Sequence, residues 1–368
     1  MFLQESETST TTRVRRPLTT PDDTESGSAP TSPDSAYRLA VASLQTLAQD
    51  IKDLAERAQA TLRDPAAHLG AGSGALSDIA LASVPRWHFA MLNDTERNSA
   101  LVSALEGNVP PGAHVLDIGS GTGLLAMAAV RAGAGRVTTC ELNPLLAEVA
   151  RQIIDAHGMS DTITVIGKPS TELEVGKDID ARADVLVSEI VDCGLIGEGL
   201  LPSIRHAREH LLAPDGIMLP AAARLYGQLV QSESMARLNR VDMASGFDVS
   251  LMNTLATPGH FPVRLNTWPH QMLSGAFPLV EFDLAKGILG PGARTLPVAA
   301  DTDGLAHALV VWFELDLGAT TLCNGPDSKD SHWMQALVPF ELPVPVTAGE
   351  KVPLRLGWSD YRLNVTVA

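Results

Sequence analysis

The segment VLDIGSGTGLLA (115–126) constrains the fold of this 368-residue chain more than any other. An apolar run with strand character leads directly into Gly119, Gly121 and Gly123, and a helical pattern follows. Glycine suits such a junction because the backbone turns tightly there and a ligand can approach the main chain closely. A strand, a glycine turn and a helix in this order predict a ligand bound at the edge of a parallel sheet.

A carboxylate at the end of the next predicted strand narrows the identity of that ligand. Glu141 closes GRVTTCELN (135–143), where a carboxylate can accept hydrogen bonds from both hydroxyls of a ribose. The glycines follow GxGxG spacing, whereas dinucleotide sites use GxGxxG. We therefore expect S-adenosylmethionine as the cofactor, with a nicotinamide cofactor and a purely structural turn as the weaker alternatives. Asp117, within the same motif, is predicted to belong to the cofactor site.

Predicted strands and helices continue to alternate after the glycine turn, with strands at TITVIGK (162–168) and ADVLVSEI (183–190). This alternation predicts a Rossmann-like, doubly wound α/β domain over residues 86–219. Further on, short β-branched and aromatic segments separated by Pro and Gly predict an all-β second domain over residues 220–368. Helical character at 232–253 predicts a helical arm inside that second domain.

The N-terminal part of the chain has a different composition. Residues 1–35 are rich in Ser, Thr, Pro and Asp, which predicts a disordered tail. Residues 36–85 are predicted to form a helical extension, because apolar residues recur there at steps of three and four. This stripe either packs against its own domain or, being narrow, forms a dimer contact. Its members are Val41, Leu44, Leu47, Ile51, Leu54, Ala58 and Leu62.

Charge and cysteine content exclude several classes of function. A net charge of −16 disfavours nucleic acid as a partner and suits a cationic substrate. Cys140, Cys193 and Cys323 form no CxxC pair, so we expect neither a metal site nor disulfides, and we expect a reducing, cytoplasmic location. The apolar stretches are only strand-sized and the N-terminus lacks the order of a secretory signal, so we expect no membrane association.

Two glutamates indicate the chemistry. SEIVDCGLIGEG (188–199) places Glu189 and Glu198 on either side of a hairpin-like loop after a predicted strand. Facing carboxylates match the planar fork of a guanidinium group. A guanidinium is a poor nucleophile because its charge is delocalised, but carboxylates that hold two nitrogens draw the charge toward themselves and leave lone-pair character on the third. Taken alone, the same pair also fits solvated surface acids.

From Trp87 onward the sequence resembles the protein arginine methyltransferases. The glycine motif, the double-glutamate segment and Ser331-His332-Trp333 occur in that family's order. SEIVDCGLIGEGLLP and DSHWMQALVPFELP are most similar to its monomethylating (type III) branch. The resemblance implies a Rossmann-like domain that binds S-adenosylmethionine, followed by a β-barrel, with the active site at their junction. It also implies a homodimer.

The resemblance assigns roles to residues at the start of the matched region. WHFAMLNDTERN (87–98) resembles the family's cofactor lid. Met91 would then lie against the methyl sulfonium, and Arg97 would bind the methionine carboxylate of the cofactor. Asp94 and His332 would form a carboxylate–imidazole pair that joins the lid to the barrel and offers a proton route.

Further residues are assigned in the same way. Trp333 would wall the arginine channel, and Lys168, Pro169 and Ser170 would line the adenine pocket, although many relatives have Glu at the position of Ser170. Asp192 is a third acid in the double-glutamate segment. It either tightens the guanidinium pocket or caps the following turn.

Asp192, together with Leu200 at a position where dimethylating relatives carry Met, favours transfer of a single methyl group. We expect a cytoplasmic arginine N-methyltransferase that acts on a terminal guanidino nitrogen. Arginine far outnumbers lysine, a bias typical of GC-rich bacterial genomes. This apparent bacterial origin favours free L-arginine as the acceptor, with Nω-methyl-L-arginine as the product. The chain is also similar to the bacterial free-arginine methyltransferases of streptozotocin-type biosynthesis, which favours the same acceptor. Peptidyl arginine is the alternative acceptor, and a catalytically inactive binding scaffold is a remote alternative.

Overall fold

The computed structural model describes residues 33–63, 83–328 and 331–367. Contacts divide the chain into two compact units, residues 1–56 and residues 57–368. None of the described helices combines the length and the apolarity needed to cross a bilayer.

A long helix, α1 (Pro33–Arg63), opens the described chain. It begins three residues before the predicted start, because proline is well accommodated in a first helical turn. Most of the predicted tail, and residues 64–82 of the predicted extension, lie outside the described residues. Of the predicted apolar stripe, Leu44, Leu47, Ile51 and Leu54 are exposed.

The first sheet of the second unit has five parallel strands, in the order β3-β2-β1-β4-β5. This arrangement confirms the predicted doubly wound sheet. Every residue of β1 is buried, as expected of a central strand covered on both faces. The strands are β1 (His114–Ile118), β2 (Arg136–Cys140), β3 (Ile163–Ile166), β4 (Ala183–Ser188) and β5 (Leu212–Leu219).

Helices alternate with these strands, and capping explains where two of them begin, α3 (Thr95–Asn108) and α5 (Pro144–Ala156). Asn143 accepts hydrogen bonds from the first turn of α5 and is followed by proline at the first helical position. Asp94 caps α3 by accepting from the backbone N–H of Arg97 at 2.9 Å. A π-helical turn, Ala207–Leu211, follows α6, and a 3₁₀ turn spans Ser170–Glu172. The helices are α2 (Trp87–Asn93), α3 (Thr95–Asn108), α4 (Leu124–Arg131), α5 (Pro144–Ala156) and α6 (Leu200–His206).

The order of the strands reverses between β1 and β4, and this reversal positions the candidate site. From β1 the chain proceeds to β2 and β3 on one side, whereas β4 and β5 lie on the other side. Ile118 at the end of β1 lies opposite Ser188 at the end of β4. The next residues along the chain are Gly119 and Glu189, so the glycine turn and the first glutamate emerge side by side. Open α/β sheets bind their ligands at such a reversal.

Antiparallel strands dominate after β5, which confirms the predicted change to β structure. A seven-stranded sheet centres on β6, β13 and β15, and β12, β16 and β17 form a three-stranded sheet. Leu225, Leu309 and Phe313 are fully buried in the apolar core. The strands are β6 (Ala222–Gln231), β7 (Met243–Ala244), β8 (Phe247–Asp248), β9 (Phe261–Val263), β10 (Gln271–Met272), β11 (Phe277–Asp283), β12 (Gly292–Ala299), β13 (Gly304–Asp316), β14 (Thr321–Cys323), β15 (Gln335–Val346), β16 (Lys351–Trp358) and β17 (Leu363–Val367).

The segment 232–253 differs from the predicted helical arm. Its only α-helix is one short turn, α7 (Glu233–Ala236), and β7 and β8 then pair as a hairpin. A 3₁₀ helix over Ser250–Leu255 follows. The hairpin forms because Ser245 and Gly246 both adopt positive φ, 51° and 89°, which suits a two-residue turn between antiparallel strands. The helical character of this segment is therefore overridden by this local turn.

Candidate active site

A cavity of about 670 Å³ lies at the carboxyl ends of β1, β2 and β4. It collects residues from the lid segment (87–98), the glycine turn, the double-glutamate loop (189–198) and the loop before β15. Four predicted site residues, Asp94, Arg97, Asp117 and Gly123, are absent from its lining. The predicted residues that do line it are Met91, Gly119, Gly121, Glu141, Lys168, Pro169, Ser170, Glu189, Asp192, Glu198, His332 and Trp333.

The glycine turn is shaped by its own backbone and by Glu141. Gly119 has a φ of 90°, and a Cβ placed there would lie 2.6 Å from a methyl carbon of Ile190. Both restrictions explain why glycine is needed at this position. Glu141 accepts from the backbone N–H of Gly121 at 2.9 Å and from that of Asn143 at 2.8 Å. The carboxylate therefore holds the turn and still lines the cavity.

Several buried polar atoms in and near the glycine turn make no hydrogen bond. Among the described residues, the buried side-chain atoms that make no hydrogen bond are Asp117 Oδ1, Ser120 Oγ and Arg97 Nε. An unsatisfied buried polar atom costs about 1 to 3 kcal/mol, so their grouping indicates a polar ligand. Burial raises the pKa of Asp117 to about 7, although Thr139 donates to its other oxygen at 2.8 Å. These groups fit S-adenosylmethionine, which offers hydroxyl, ammonium and carboxylate groups.

Glu189, the first glutamate of the double-glutamate loop, is paired with Arg97. Arg97 donates through its Nη2 to Oε2 of Glu189, and their side chains are only 5% and 3% exposed. Burial lowers the pKa of Arg97 to about 10, so the guanidinium still carries its charge at neutral pH. The structure thus joins a residue predicted to bind the cofactor carboxylate to one predicted to bind the substrate guanidinium. The predicted cofactor contact of Arg97 stays a prediction.

Glu198, the second glutamate, lines the same cavity in a different electrostatic setting. Burial, and then the negative charge of Asp192, raise the pKa of Glu198 to about 7. Glu198 therefore changes its charge near neutral pH. The two glutamates lie nine positions apart in the sequence and line one cavity, as the loop motif predicted.

Asp192 braces the double-glutamate loop. Its Oδ1 accepts from the backbone N–H of Gly197 at 2.8 Å, and its Oδ2 accepts from Nε2 of His260 at 2.6 Å. Of the two roles considered for Asp192, capping the turn is therefore observed. No motif in the sequence indicated His260. This residue lies in the connection between the segment 232–253 and β9.

Potential metal-binding atoms of Asp192, Cys193 and His260 lie within 4.8 Å of one another. Burial raises the pKa of the Cys193 thiol, with a further contribution from Asp192. In this structure the group consists of the hydrogen-bonded pair of Asp192 and His260 beside the buried Cys193 thiol.

The lid segment is connected to the loop before β15 through Asp94 and His332. Burial alone would raise the pKa of Asp94, but hydrogen bonds from His332 and from the backbone of Arg97 outweigh it, and the pKa lies below its usual value. Burial lowers the pKa of His332 more than the neighbouring Asp94 raises it. The pair is therefore an ionised carboxylate beside a neutral imidazole at neutral pH, as a proton route requires.

Trp333 and the residues after β3 also line the cavity. Trp333 donates from its indole nitrogen to the carbonyl of Val191 at 3.2 Å and packs edge-on against Phe313. It therefore serves both as a cavity wall and as part of the core. Lys168 donates to Asp178 at 2.6 Å, which fixes its side chain next to Pro169 and the buried Ser170.

Comparisons with known proteins agree with this geometry. Residues 221–364 match the arginine methyltransferase oligomerization subdomain, and residues 98–218 match ribosomal protein L11 methyltransferase. The chain is 66% identical to an arginine N(omega)-methyltransferase of Streptomyces achromogenes subsp. streptozoticus, covering 90% of this chain and 92% of that protein. It is 33% identical to protein arginine N-methyltransferase 7 of Oryza sativa subsp. indica, covering 75% of this chain but 44% of that protein.

Solved structures show the same similarity. A Trypanosoma brucei PRMT1 enzyme–prozyme heterotetrameric complex with AdoHcy matches with a TM-score of 0.66 and 27% identity, over 75% of this chain and 88% of that one. The protein arginine methyltransferase 10 of Arabidopsis thaliana matches with a TM-score of 0.61 and 20% identity, over 76% of this chain and 89% of that one. The second match concerns the fold alone.

Proposed function

The chain belongs to the arginine methyltransferase family, and on that premise we propose that it transfers one methyl group from S-adenosylmethionine to a terminal guanidino nitrogen of free L-arginine. The product is Nω-methyl-L-arginine. The observation that carries the proposal is the placement of Glu189 and Glu198 in one cavity with the glycine turn. Bound S-adenosylmethionine supplies an electrophilic methyl group on its sulfonium.

The cofactor lies along the glycine turn in this proposal. Glu141 accepts from the ribose hydroxyls, and Gly119 and Gly121 leave the backbone accessible. The unsatisfied polar atoms of Asp117 and Ser120 lie on either side of Gly119 in the sequence, just behind the cavity lining, and would receive polar groups of the cofactor. Of the lining residues, Lys168, Pro169 and Ser170 would contact the adenine, and Met91 would lie against the sulfonium. Gly123, the last glycine of the turn, is the N-cap of α4.

The two glutamates orient and activate the acceptor. Each carboxylate binds guanidino N–H groups, and the remaining terminal nitrogen points at the methyl group. So aligned, the terminal nitrogen would be placed to accept the methyl group that bound S-adenosylmethionine supplies. The nitrogen then loses a proton to Glu198, whose pKa of about 7 suits a proton acceptor, or to the Asp94–His332 pair. Alignment and fixed negative charge supply the acceleration.

Free L-arginine is the proposed acceptor because the relative that is 66% identical is named for arginine, without reference to protein. Peptidyl arginine is the alternative, supported by relatives named protein arginine N-methyltransferases. A catalytically inactive scaffold is disfavoured, since both glutamates line the cavity. We further propose that the product is used in bacterial natural-product biosynthesis, because the Streptomyces relative comes from the subspecies streptozoticus.

A single incubation distinguishes the acceptors. The enzyme is supplied with methyl-labelled S-adenosylmethionine and either free L-arginine or an arginine-rich peptide, and the Glu189→Gln variant serves as the matched blank. Label in free arginine supports the proposal, whereas label in peptide alone contradicts it. Mass spectrometry of the same product distinguishes one methyl group from two.

Transfer of a single methyl group is the finer part of the proposal. Leu200 is fully buried at the start of α6, and Asp192 ties the double-glutamate loop to His260. We expect the contact between Asp192 and His260 to restrict rearrangement of the loop around an arginine that is already methylated, with Leu200 acting only through the packing of α6. A dimethylated product would contradict this part of the proposal and leave the reaction itself unaffected.

The domain arrangement and the assembly are also proposed. Residues 86–219 act as the cofactor domain, and residues 220–368 act as a β-barrel that contributes to the arginine pocket. The N-terminal extension 36–85 precedes both domains in the sequence. We propose a homodimer, because the family model matched by residues 221–364 is an oligomerization subdomain and the segment 232–253 exposes apolar side chains. These side chains are Leu238, Met243, Phe247, Leu251 and Met252.

Deletion of residues 1–66 separates the two candidate dimer elements, the segment 232–253 and α1. A dimeric mass in solution after the deletion assigns the interface to residues outside α1. A monomeric mass assigns it to α1, whose exposed apolar stripe was the alternative. The three cysteines are unpaired, which suits the proposed cytoplasmic location.

A further inference from the structure

We propose that His260 is a specificity residue that binds the α-carboxylate of free L-arginine. This inference rests on the proposed function, because it concerns the same cavity and the same acceptor. It adds a physical reason for choosing the free amino acid, since arginine inside a peptide has an amide in place of this carboxylate.

The imidazole of His260 is held in a fixed orientation at the cavity. It lines the cavity, and its side chain is only 9% exposed. Nε2 is engaged by Asp192 at 2.6 Å, and the ring lies so close to Gly194 that a Cβ there would be 2.4 Å from Nε2. Among the described residues, Nδ1 of this ring makes no hydrogen bond. One ring nitrogen is therefore fixed by protein, and the other is available to a ligand.

The position of His260 along the double-glutamate loop suits the far end of the substrate. Glu189 lies at the end of β4 beside the glycine turn, whereas Asp192 and Gly194, which contact His260, lie further along the loop. Three methylene groups and the Cα separate the guanidino group of arginine from its carboxylate. With the guanidino group between Glu189 and Glu198, the side chain leads away from the methyl donor toward this part of the loop.

The charge of the cavity makes a dedicated donor necessary. Glu141, Glu189, Asp192 and Glu198 all line the cavity, so an unpaired carboxylate on the substrate would be repelled. Lys168, the lysine in the lining, is paired with Asp178.

Two histidines in the lining have side-chain partners. His332 is engaged by Asp94 of the lid segment. His260 is the one attached to the double-glutamate loop. A doubly protonated imidazole donates from both nitrogens and can bridge Asp192 and the substrate carboxylate.

Agmatine, which is arginine without its carboxylate, isolates the proposed contact. We expect the wild-type enzyme to favour L-arginine over agmatine in kcat/KM by about 10- to 100-fold, as for a hydrogen bond between charged groups. In His260→Ala, kcat/KM for L-arginine should fall by a similar factor, mostly through KM. The value for agmatine should fall far less, because only the contact to Asp192 is then lost. L-argininamide, whose carboxylate is neutralised, should behave like agmatine.

Two further variants keep the result interpretable. His260→Gln can still donate to Asp192 but places no second donor at the position of Nδ1, so it should show the same selective loss if His260→Ala folds poorly. His270→Ala changes an exposed histidine outside the cavity and should leave both substrates unaffected. Binding of S-adenosylhomocysteine, measured by calorimetry, verifies that the cofactor site of each variant is intact.

The contrary outcomes are distinct. An equal loss for L-arginine and agmatine in both His260 variants would show that the residue only braces the loop, which overturns the inference. Equal use of L-arginine and agmatine by the wild-type enzyme also overturns it. Methylation of peptides alone by the wild-type enzyme would instead overturn the proposed function.

Discussion

His332 donates to one oxygen of Asp94 twice, through its ring Nδ1 and through its backbone N–H, each at 2.9 Å. The same carboxylate caps α3 through its other oxygen. A helix start in the lid segment and the loop before β15 therefore share a single buried acid, and 238 positions of sequence separate the two partners. Lid placement and helix capping are thus coupled.

Replacement of Asp94 tests this coupling. Asp94→Ala removes the cap of α3 and leaves the buried N–H groups of His332 unpaired, so we expect the free energy of unfolding to fall by about 2 to 4 kcal/mol. Asp94→Asn retains an acceptor for the cap and should lose less. Urea denaturation of both variants measures the difference, and equal stability of Asp94→Ala and wild type would contradict the coupling.

Glu189→Gln tests the proposed chemistry. The amide cannot match the guanidinium with a full negative charge, so we expect kcat to fall by at least about 100-fold, as when a preorganised electrostatic contact is lost. Binding of S-adenosylhomocysteine should persist, because the glycine turn and Glu141 are untouched. Near-normal turnover in this variant would refute the mechanism.

The pH dependence of kcat/KM tests the role of Glu198. The pKa of this residue is raised to about 7, so the carboxyl is protonated below that pH and cannot hold the guanidinium as a carboxylate. We expect kcat/KM to rise with pH through about 7 and then level off. Asp117 also has a raised pKa of about 7, so the assignment needs a second measurement.

Asp192→Asn provides that measurement. The negative charge of Asp192 contributes to the raised pKa of Glu198, so its removal should move the rise to lower pH. Asn retains an acceptor for Gly197 but loses the charged contact to His260, so binding of S-adenosylhomocysteine is measured alongside. A rise that stays at the wild-type pH would assign the titration to another group.

Gly119→Ala tests the cofactor site. A φ of 90° is strained for alanine, and the added Cβ would meet Ile190 at 2.6 Å. We expect affinity for S-adenosylhomocysteine to fall by roughly 10-fold or more, since left-handed backbone costs about 1 to 2 kcal/mol for a non-glycine residue. Gly107→Ala is the matched control, because no atom lies within 4 Å of its added Cβ and its position in α3 favours alanine. Equal affinity in both variants would contradict the assignment.

The sequence by itself determined the parallel sheet, the glycine turn and the two glutamates, because these depend on contiguous residues. Strand, turn and helix propensities act over a few positions, and parallel strands bring their carboxyl ends to one edge whatever the rest of the chain does. Gly119 and Glu189 each follow directly after a strand of this sheet, and for the same reason they emerge at one edge. The change to β structure after residue 219 followed from composition in the same way.

Apart from Asp94 and His332, which the resemblance paired, only the tertiary structure decided which distant side chains meet. The pairing of Arg97 with Glu189 and of His260 with Asp192 joins residues 92 and 68 positions apart, with no local spacing to indicate either pair. The segment 232–253 shows the converse, because its helical character predicted a helical arm, whereas Ser245 and Gly246, both with positive φ, form the turn of a hairpin. Local patterns specify elements, whereas burial and hydrogen bonding between elements set the electrostatics of the site.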